Sequence, residues 1–441
     1  MTRGCAAFPL RTLLIALVVL FSFPTAWAQI SRLDRERAEA MLETVASDVR
    51  HNYYDPKLHG VDWDAHIRQA KEAISKAATV EEATARIAGA LEILNDSHTY
   101  FLRPRYATAV EYGWNFEMIG YRCFVTVVKP GSDAEAKGLH PGDEVTMING
   151  YMPTREDIHK LKQALGFAPQ KALQVGVVDP ATKRFRSLTI ESKIERARQV
   201  RSDREEYNRR ARLTWEEMQN ELKPRAEEFG PELMIVKFQA FAQSGEVVEG
   251  LIDRACQHKA LIIDLRGNGG GAEETLKNWI AGLFEGETKI ADRIERTKTE
   301  TMSAKGSKHH AFKGKLIVLI DSGSASASEL FARVIQIEKR GTIMGDQSSG
   351  ATMEAEIYPH RSEVIFATMV THADLRMKDG NSIEHVGVSP DEPALPTGLD
   401  LANKRDPVLS KAAAMAGVTV SPEDAGKLFP HHWAKDWTYL Y

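Results

Sequence analysis

Two segments of this 441-residue chain hold residue types that could do covalent chemistry. In residues 316–341 an apolar run ends at Asp321, a serine-rich turn follows, and Leu330, Val334 and Ile337 mark one face of a helix. Ser326 stands at that strand-to-helix turn, inside Gly323-Ser-Ala-Ser-Ala-Ser-Glu329. A serine so placed presents its hydroxyl at the sheet edge, and the first helix amide, on Ala327, can receive an oxyanion. The plainer explanation is a helix cap, because Ser326 with Glu329 three residues later is a capping box. The second segment is Asp264-Leu-Arg-Gly-Asn-Gly-Gly-Gly271, also between a strand and a helix. Gly267, Gly269 and Gly271 recur every second residue, which does not fit G-x-G-x-x-G, and no Gly-Lys-Ser/Thr follows as in a phosphate loop. An oxyanion donor from the backbone of Gly270 or a neighbour is the functional reading, and a simple glycine turn the alternative.

These turns need a rigid frame. Leu233-Met-Ile-Val-Lys-Phe238, Ala260-Leu-Ile-Ile-Asp264 and Leu316-Ile-Val-Leu-Ile320 read as buried strands, with helices expected over 245–257, 273–284 and 328–339. The alternation implies an α/β core over 230–396. Residues 29–105 read as helical, with Met41, Val45 and Val49 on one face and Thr79 opening a later helix. Residues 106–192 read as a small strand-rich module with tight turns at Lys129-Pro-Gly-Ser132 and His140-Pro-Gly-Asp143. The charged stretch 193–229 reads as a solvated helical linker, and 397–441 as a tail with a helix near 407–415. The expected class is a multidomain α/β (α+β) protein.

Residues 1–28 have the layout of a secretory signal peptide: Arg3 and Arg11, an apolar run over 13–21, then Ala26-Trp27-Ala28. The run is short for a membrane span, although an uncleaved anchor is the alternative, and Cys5 lies on the wrong side of it for a lipoprotein. The expectation is an exported, periplasmic or secreted chain with no stable membrane span after cleavage. Loss of Arg3 and Arg11 takes the net charge from −4 to −6, which argues against nucleic acid as a partner. Cys123 and Cys256 fall in different segments, so a disulfide framework is not expected. No Cys/His/carboxylate spacing indicates a metal, the adjacent pairs His309-His310 and His431-His432 included, and no cofactor is expected.

The two motifs together resemble the central motifs of the S41 peptidases, the C-terminal processing or tail-specific proteases with their tricorn-like and retinoid-binding-like relatives. Asn52-Tyr-Tyr-Asp-Pro56 and Asp96-Ser-His-Thr99 resemble the helical N-terminal part of that family. Residues 106–192 resemble its inserted PDZ domain, and Ile383-Glu-His-Val-Gly-Val-Ser-Pro-Asp391 its closing core motif. The resemblance implies a serine peptidase with Ser326 as nucleophile and a polypeptide as substrate. A PDZ domain implies capture of a polypeptide C-terminus by strand addition, with the carboxylate loop near 112–120, although no Gly-Leu-Gly-Phe stands there.

One departure matters. The processing proteases place a lysine base 25 residues beyond the serine in a Gly-Lys pair; here the pair is Gly350-Ala351, and no lysine occurs between Lys339 and Lys378. A serine hydroxyl needs a base. The tricorn-like branch uses histidine, a second serine and a glutamate, which the resemblance carries onto His98, Ser97 and Glu384. The expected site is therefore Ser326, His98, Ser97 and Glu384, with Gly270 and Ala327 as oxyanion donors. The rivals are a binding or adaptor protein that kept the fold and lost the base, and an apolar-ligand carrier. Oligomeric state is left open.

Overall fold

The computed structural model describes residues 30–104, 108–167, 170–196, 222–306, 311–361 and 365–430. The expected leader, most of the charged stretch, both adjacent histidine pairs and the aromatic end lie outside the described residues.

Helices α1 (Arg32–Asn52), α2 (Trp63–Ser75) and α3 (Val80–Leu91) each begin at a polar cap and bury one face. Ser31, Asp62 and Thr79 accept the Asp34, Ala65 and Glu82 amides, satisfying donors that a helix start leaves without partners. The buried faces share a core with Phe101 and with Phe366 and Val370 from far downstream. The helical region is thus packed into the α/β core. β1 (Tyr100–Leu102), directly after the Asp96–Thr99 turn, pairs antiparallel with a late strand, Tyr100 opposite Met369.

β2 (Thr108–Glu111) and β8 (Lys193–Arg196) pair where the inserted module begins and ends. Between them β3 (Trp114–Ile119), β4 (Arg122–Val128), β5 (Glu144–Ile148), β6 (Ala172–Val178) and β7 (Phe185–Glu191) form an antiparallel sheet in that order. β3 is one edge of it. α4 (Asp133–Ala136) and α5 (Ile158–Phe167) cover a core of Trp114, Phe116, Val125, Leu173 and Val175.

The charged stretch expected as a helical linker is stranded at both ends. Its first residues are β8, and its last, β9 (Arg225–Phe229), pair antiparallel with β10 (Leu233–Lys237). β9 is an edge strand, so its charged side chains can stay in water while one side of its backbone is paired.

The core continues through α6 (Gly245–Ala255), β11 (Ala260–Asp264), α7 (Glu273–Ala281), β12 (Glu287–Glu295) and β13 (Thr299–Lys305). β14 (Lys315–Ile320), α8 (Ala327–Ile337), β15 (Thr342–Gly345), β16 (Glu354–Arg361), β17 (Ile365–Met377) and β18 (Glu392–Pro393) follow. α9 (Gly398–Ala402), α10 (Pro407–Met415) and α11 (Pro422–Leu428) end the described chain. One sheet runs β18-β15-β14-β11-β10-β9 and is parallel apart from β9. Its inner strands are apolar at successive positions because both faces are covered. Met234, Val236 and Ile263 join the core under α6, α7 and α8, while Leu233, Ile235 and Ile262 join that of α10 and α11. A second, antiparallel sheet runs β1-β17-β12-β13, with β16 also on β17; no strand of it was expected from the sequence.

Both motif turns leave the carboxyl ends of neighbouring parallel strands, Asp264 of β11 lying opposite Leu319 of β14. Ligands bind at such ends in open α/β sheets. The start of the glycine motif is anchored by charge: the fully buried Asp264 carboxylate accepts Lys237 Nζ at 2.9 Å and Arg266 Nη2 at 2.7 Å. Arg266 also reaches Asp406, the cap of α10, at 2.7 Å. Cys123 is buried and Cys256 exposed, both as free thiols. Among the described residues no helix is long and apolar enough to cross a membrane.

Candidate active site

The strand-to-helix turn holds Ser326 at φ 53°, ψ −118°. Ordinary serine and threonine caps in this chain are extended, as at Ser31 (φ −71°, ψ 158°) and Thr79 (φ −133°, ψ 164°). Of the capping box expected from the sequence the Glu329 half is made, with Ser326 N–H donating to Glu329 Oε2 at 3.1 Å. The Glu329 amide donates to the Ser326 carbonyl oxygen at 2.9 Å and not to its side chain. A cap alone does not call for a left-handed serine. A non-glycine residue at positive φ costs about 1–3 kcal/mol and persists only where its surroundings impose it.

Those surroundings come from both motifs. Ala325 N–H and Ser328 Oγ donate to the Asn268 carbonyl oxygen at 3.0 and 2.9 Å, and Ser324 Oγ to that of Leu265 at 2.8 Å. Gly270, at φ 100°, lies against the serine: a Cβ there would meet Ser326 Cβ at 2.7 Å and the Ala327 nitrogen at 3.0 Å. Only glycine fits that approach. The Gly270 amide, however, donates to Asn268 Oδ1 at 2.9 Å, so in this structure it is not aimed at an oxyanion. Ala327 opens α8, where a helix amide has no intrahelical acceptor.

The proposed base is built on the turn between α3 and β1, far from Ser326 in sequence. Ser97 Oγ lies 2.6 Å from His98 Nδ1 and donates to Glu384 Oε2 at 3.0 Å, while Ser97 N–H donates to Glu384 Oε1 at 2.8 Å. A hydroxyl has one proton. With that proton on Glu384, Ser97 Oγ must accept from His98 Nδ1–H, which assigns the lone pair to Nε2. That is the tautomer a general base needs. Burial pushes the His98 imidazole below its ordinary value, opposed by the charge of Asp96, so the ring is neutral at pH 7. Burial pushes the Glu384 carboxyl up, opposed by its hydrogen bonds and by His385.

A chain of contacts connects the two halves. Ser326 N–H also donates to the Ala351 carbonyl oxygen at 2.7 Å, and the next residue, Thr352, donates its amide to Glu384 Oε2 at 2.7 Å. Among the described residues no hydrogen bond joins His98 to Ser326 itself. Catalytic hydrogen bonds are often long before substrate arrives. Ala351, where a Gly-Lys pair would put an ammonium, brings a methyl group to within one backbone hydrogen bond of the serine.

Sequence reasoning saw Glu329 only as half of a cap. Its carboxylate is fully buried and accepts the Ser326 and Ala351 amides on Oε2 (3.1 and 2.8 Å) and the Gly350 amide and Ser348 hydroxyl on Oε1 (2.7 and 2.5 Å). It therefore fastens the Ser326 turn to the loop that carries Thr352. Burial pushes the Glu329 carboxyl up to a pKa of about 7 against those bonds. The signal in the sequence was the third helix position, but its partners at 348–351 were not legible.

Residues 232–394 match peptidase family S41, residues 34–82 the tricorn protease C1 domain, and residues 110–174 a PDZ domain. The α/β core, residues 232–394, is thus a peptidase family S41 domain, preceded by segments that match the tricorn C1 and PDZ domains. It is 28% identical over 273 residues to the tail-specific protease of Haemophilus influenzae, covering 58% of this chain and 36% of that one. It is 23% identical over 434 residues to the putative tricorn protease homolog 2 of Streptomyces coelicolor, covering 89% of this chain and 34% of that one. A third relative, carboxyl-terminal-processing peptidase 3 of Arabidopsis thaliana, is 22% identical over 362 residues, covering 78% and 66%. The chain spans about one third to two thirds of the length of these relatives. Its fold is that of mature CPAF (TM-score 0.62, 12% identity, 84% of this chain and 94% of that one). It also matches the photosystem II D1 C-terminal processing protease (TM-score 0.50, 20% identity, 83% and 96%).

Proposed function

We propose that this chain is an exported serine endopeptidase that cleaves unfolded or C-terminal polypeptide segments through an acyl-enzyme. His98 Nε2 takes the Ser326 proton as Oγ attacks the scissile carbonyl carbon, and the Ala327 amide receives the oxyanion. The Gly270 amide joins it on exchanging Asn268 for the oxyanion. His98 then protonates the leaving amine, and water attacks the ester by the same route in reverse. Ser97 and Glu384 hold the tautomer and stabilise the imidazolium. The observation that carries this reading is the His98–Ser97–Glu384 chain, linked through Thr352 and Ala351 to the strained Ser326. The leader-like residues 1–28 support export.

The PDZ module supports a polypeptide substrate through where it rests. The carbonyl oxygen of Met118, on edge strand β3, accepts Ser322 Oγ at 2.6 Å, four residues before the nucleophile. Arg155 donates to Asp346 Oδ2 at 2.5 Å and to the Gln347 carbonyl oxygen at 2.8 Å, and His159 Nε2 lies 3.0 Å from Ser349 Oγ. A strand added to β3 would therefore run along an edge whose end abuts the loops on either side of Ser326. Ala351 in the lysine position favours the rival reading of an inactive binding protein. Turnover of reduced, alkylated casein decides between them: cleavage by wild type, lost in Ser326→Ala and cut at least 100-fold in Ser97→Ala, is expected. Binding of casein by wild type with no cleavage would favour the adaptor.

A further inference from the structure

We propose that Asp96 is a positioning residue for His98, holding the histidine turn with one carboxylate oxygen and charging the ring's surroundings with the whole group. The proposal rests on the reading of His98 as base. Asp96 Oδ1 accepts the amides of His98 at 2.9 Å and Thr99 at 2.6 Å, and the Thr371 hydroxyl at 2.7 Å. Thr371 on β17 returns the contact, its N–H donating to Thr99 Oγ1 at 3.0 Å and its carbonyl oxygen accepting the Tyr54 amide at 3.0 Å. The segment Asn52-Tyr-Tyr-Asp-Pro56, which the proposed chemistry leaves without a role, is thereby joined to the turn that carries the base.

The other oxygen, Asp96 Oδ2, is buried with no hydrogen-bond donor within 3.5 Å, and the Tyr53 hydroxyl is the donor that acts on the Asp96 carboxylate. A carboxylate oxygen buried without a close donor normally costs stability, which a favourable interaction with a ring that must take up charge offsets. The ionisable groups around the turn are few. Glu384 and His385 approach from the loop after β17, and His385 Nε2 is held by the Asn95 carbonyl oxygen at 2.7 Å. Tyr53 and Tyr54 come from the end of α1, with Asp374 and Arg376 on β17 acting on Tyr54. Tyr53 is fully buried, and its hydroxyl lies 3.0 Å from His59 Nε2, itself beside Asp55. Burial keeps Tyr53 protonated, and the Asp96 charge adds to that effect. Asp96 is the charge that opposes burial at His98. Without it burial would act on the ring unopposed and make it a weaker base for the serine proton.

Asp96→Asn separates charge from geometry, since the amide keeps one acceptor oxygen for the turn. The test uses the full chain with 13C-labelled histidine Cε1, the His98 signal being identified by its loss in His98→Ala. The expected result is a His98 titration midpoint about one pH unit lower in Asp96→Asn. Fluorophosphonate labelling of Ser326 at pH 7 should also be slower by tenfold or more. Asp96→Ser, neutral and also able to cap a turn, gives the same reading should the asparagine variant not fold. A merely structural role would slow labelling or lower the melting temperature with the midpoint unmoved, and that result overturns the proposal while leaving His98 as base. A wild type that is not labelled at Ser326 removes the base reading and this proposal together.

Discussion

Replacing Glu329 by glutamine should separate stability from activity in opposite directions. Burial raises the pKa of the fully buried Glu329 carboxyl from 4.5 to about 7, against four accepted hydrogen bonds. A raised acid holds its proton in the native state at pH values where the unfolded chain has released it. Its contribution to stability is therefore fully present below about pH 4.5 and is lost as pH rises through about 7. A shift of that size corresponds to about 3 kcal/mol between pH 4.5 and 8. Glutamine does not titrate, so the difference in unfolding free energy between wild type and Glu329→Gln should change by about 3 kcal/mol across that range, in favour of the variant at high pH. Activity should go the other way. An amide has one acceptor oxygen and must turn its NH2 toward one donor pair, either the Ser326 and Ala351 amides or the Gly350 amide and Ser348 hydroxyl. Loss of two such bonds at the nucleophile turn should slow fluorophosphonate labelling at pH 8 by roughly 10- to 100-fold. Urea unfolding at pH 5, 6, 7 and 8, with labelling rates on the same samples, tests both halves. A stability difference that is flat with pH, or a variant that labels at the wild-type rate, refutes the reasoning.

Gly270→Ala should abolish labelling and cost about 2 kcal/mol, because its Cβ would meet Ser326 Cβ at 2.7 Å from a backbone at φ 100°; labelling and urea melts check it. Arg155→Ala should slow casein cleavage several-fold while leaving fluorophosphonate labelling within twofold, since Arg155 ties the PDZ module to Asp346 and Gln347 and does not touch Ser326. Equal loss in both assays would place its effect on the nucleophile turn. Asp264→Asn should destabilise by about 3–5 kcal/mol, read by urea unfolding, because it takes the buried carboxylate from Lys237 and leaves Arg266 with Asp406 alone.

Much of the arrangement was legible because it depends on local residue types. The apolar runs at 233–238, 260–264 and 316–320 read as buried strands from their length and composition, and the turn around Ser326 follows from the strand and helix that flank it. Ser97, His98 and Glu384 were reached through family resemblance, since Ser97 and Glu384 are 287 residues apart and nothing local links them. The second sheet was missed because Glu354–Arg361 interleaves charged and apolar residues and is largely exposed, so it has no buried-strand pattern. The charged ends of 193–229 were misjudged for the same reason: charge marks contact with water, not a helix. The occupied Gly270 amide and the second role of Glu329 depend on partners brought together only by the fold.

The central claim is that Ser326 is the nucleophile and His98 its base. Its most direct test is fluorophosphonate labelling at pH 8, with the modified peptide mapped by mass spectrometry in wild type, Ser326→Ala and His98→Ala. The expected result is one adduct on Ser326, absent from Ser326→Ala and formed at least 100-fold more slowly in His98→Ala. An adduct that persists in Ser326→Ala, or equal rates in wild type and His98→Ala, would contradict it.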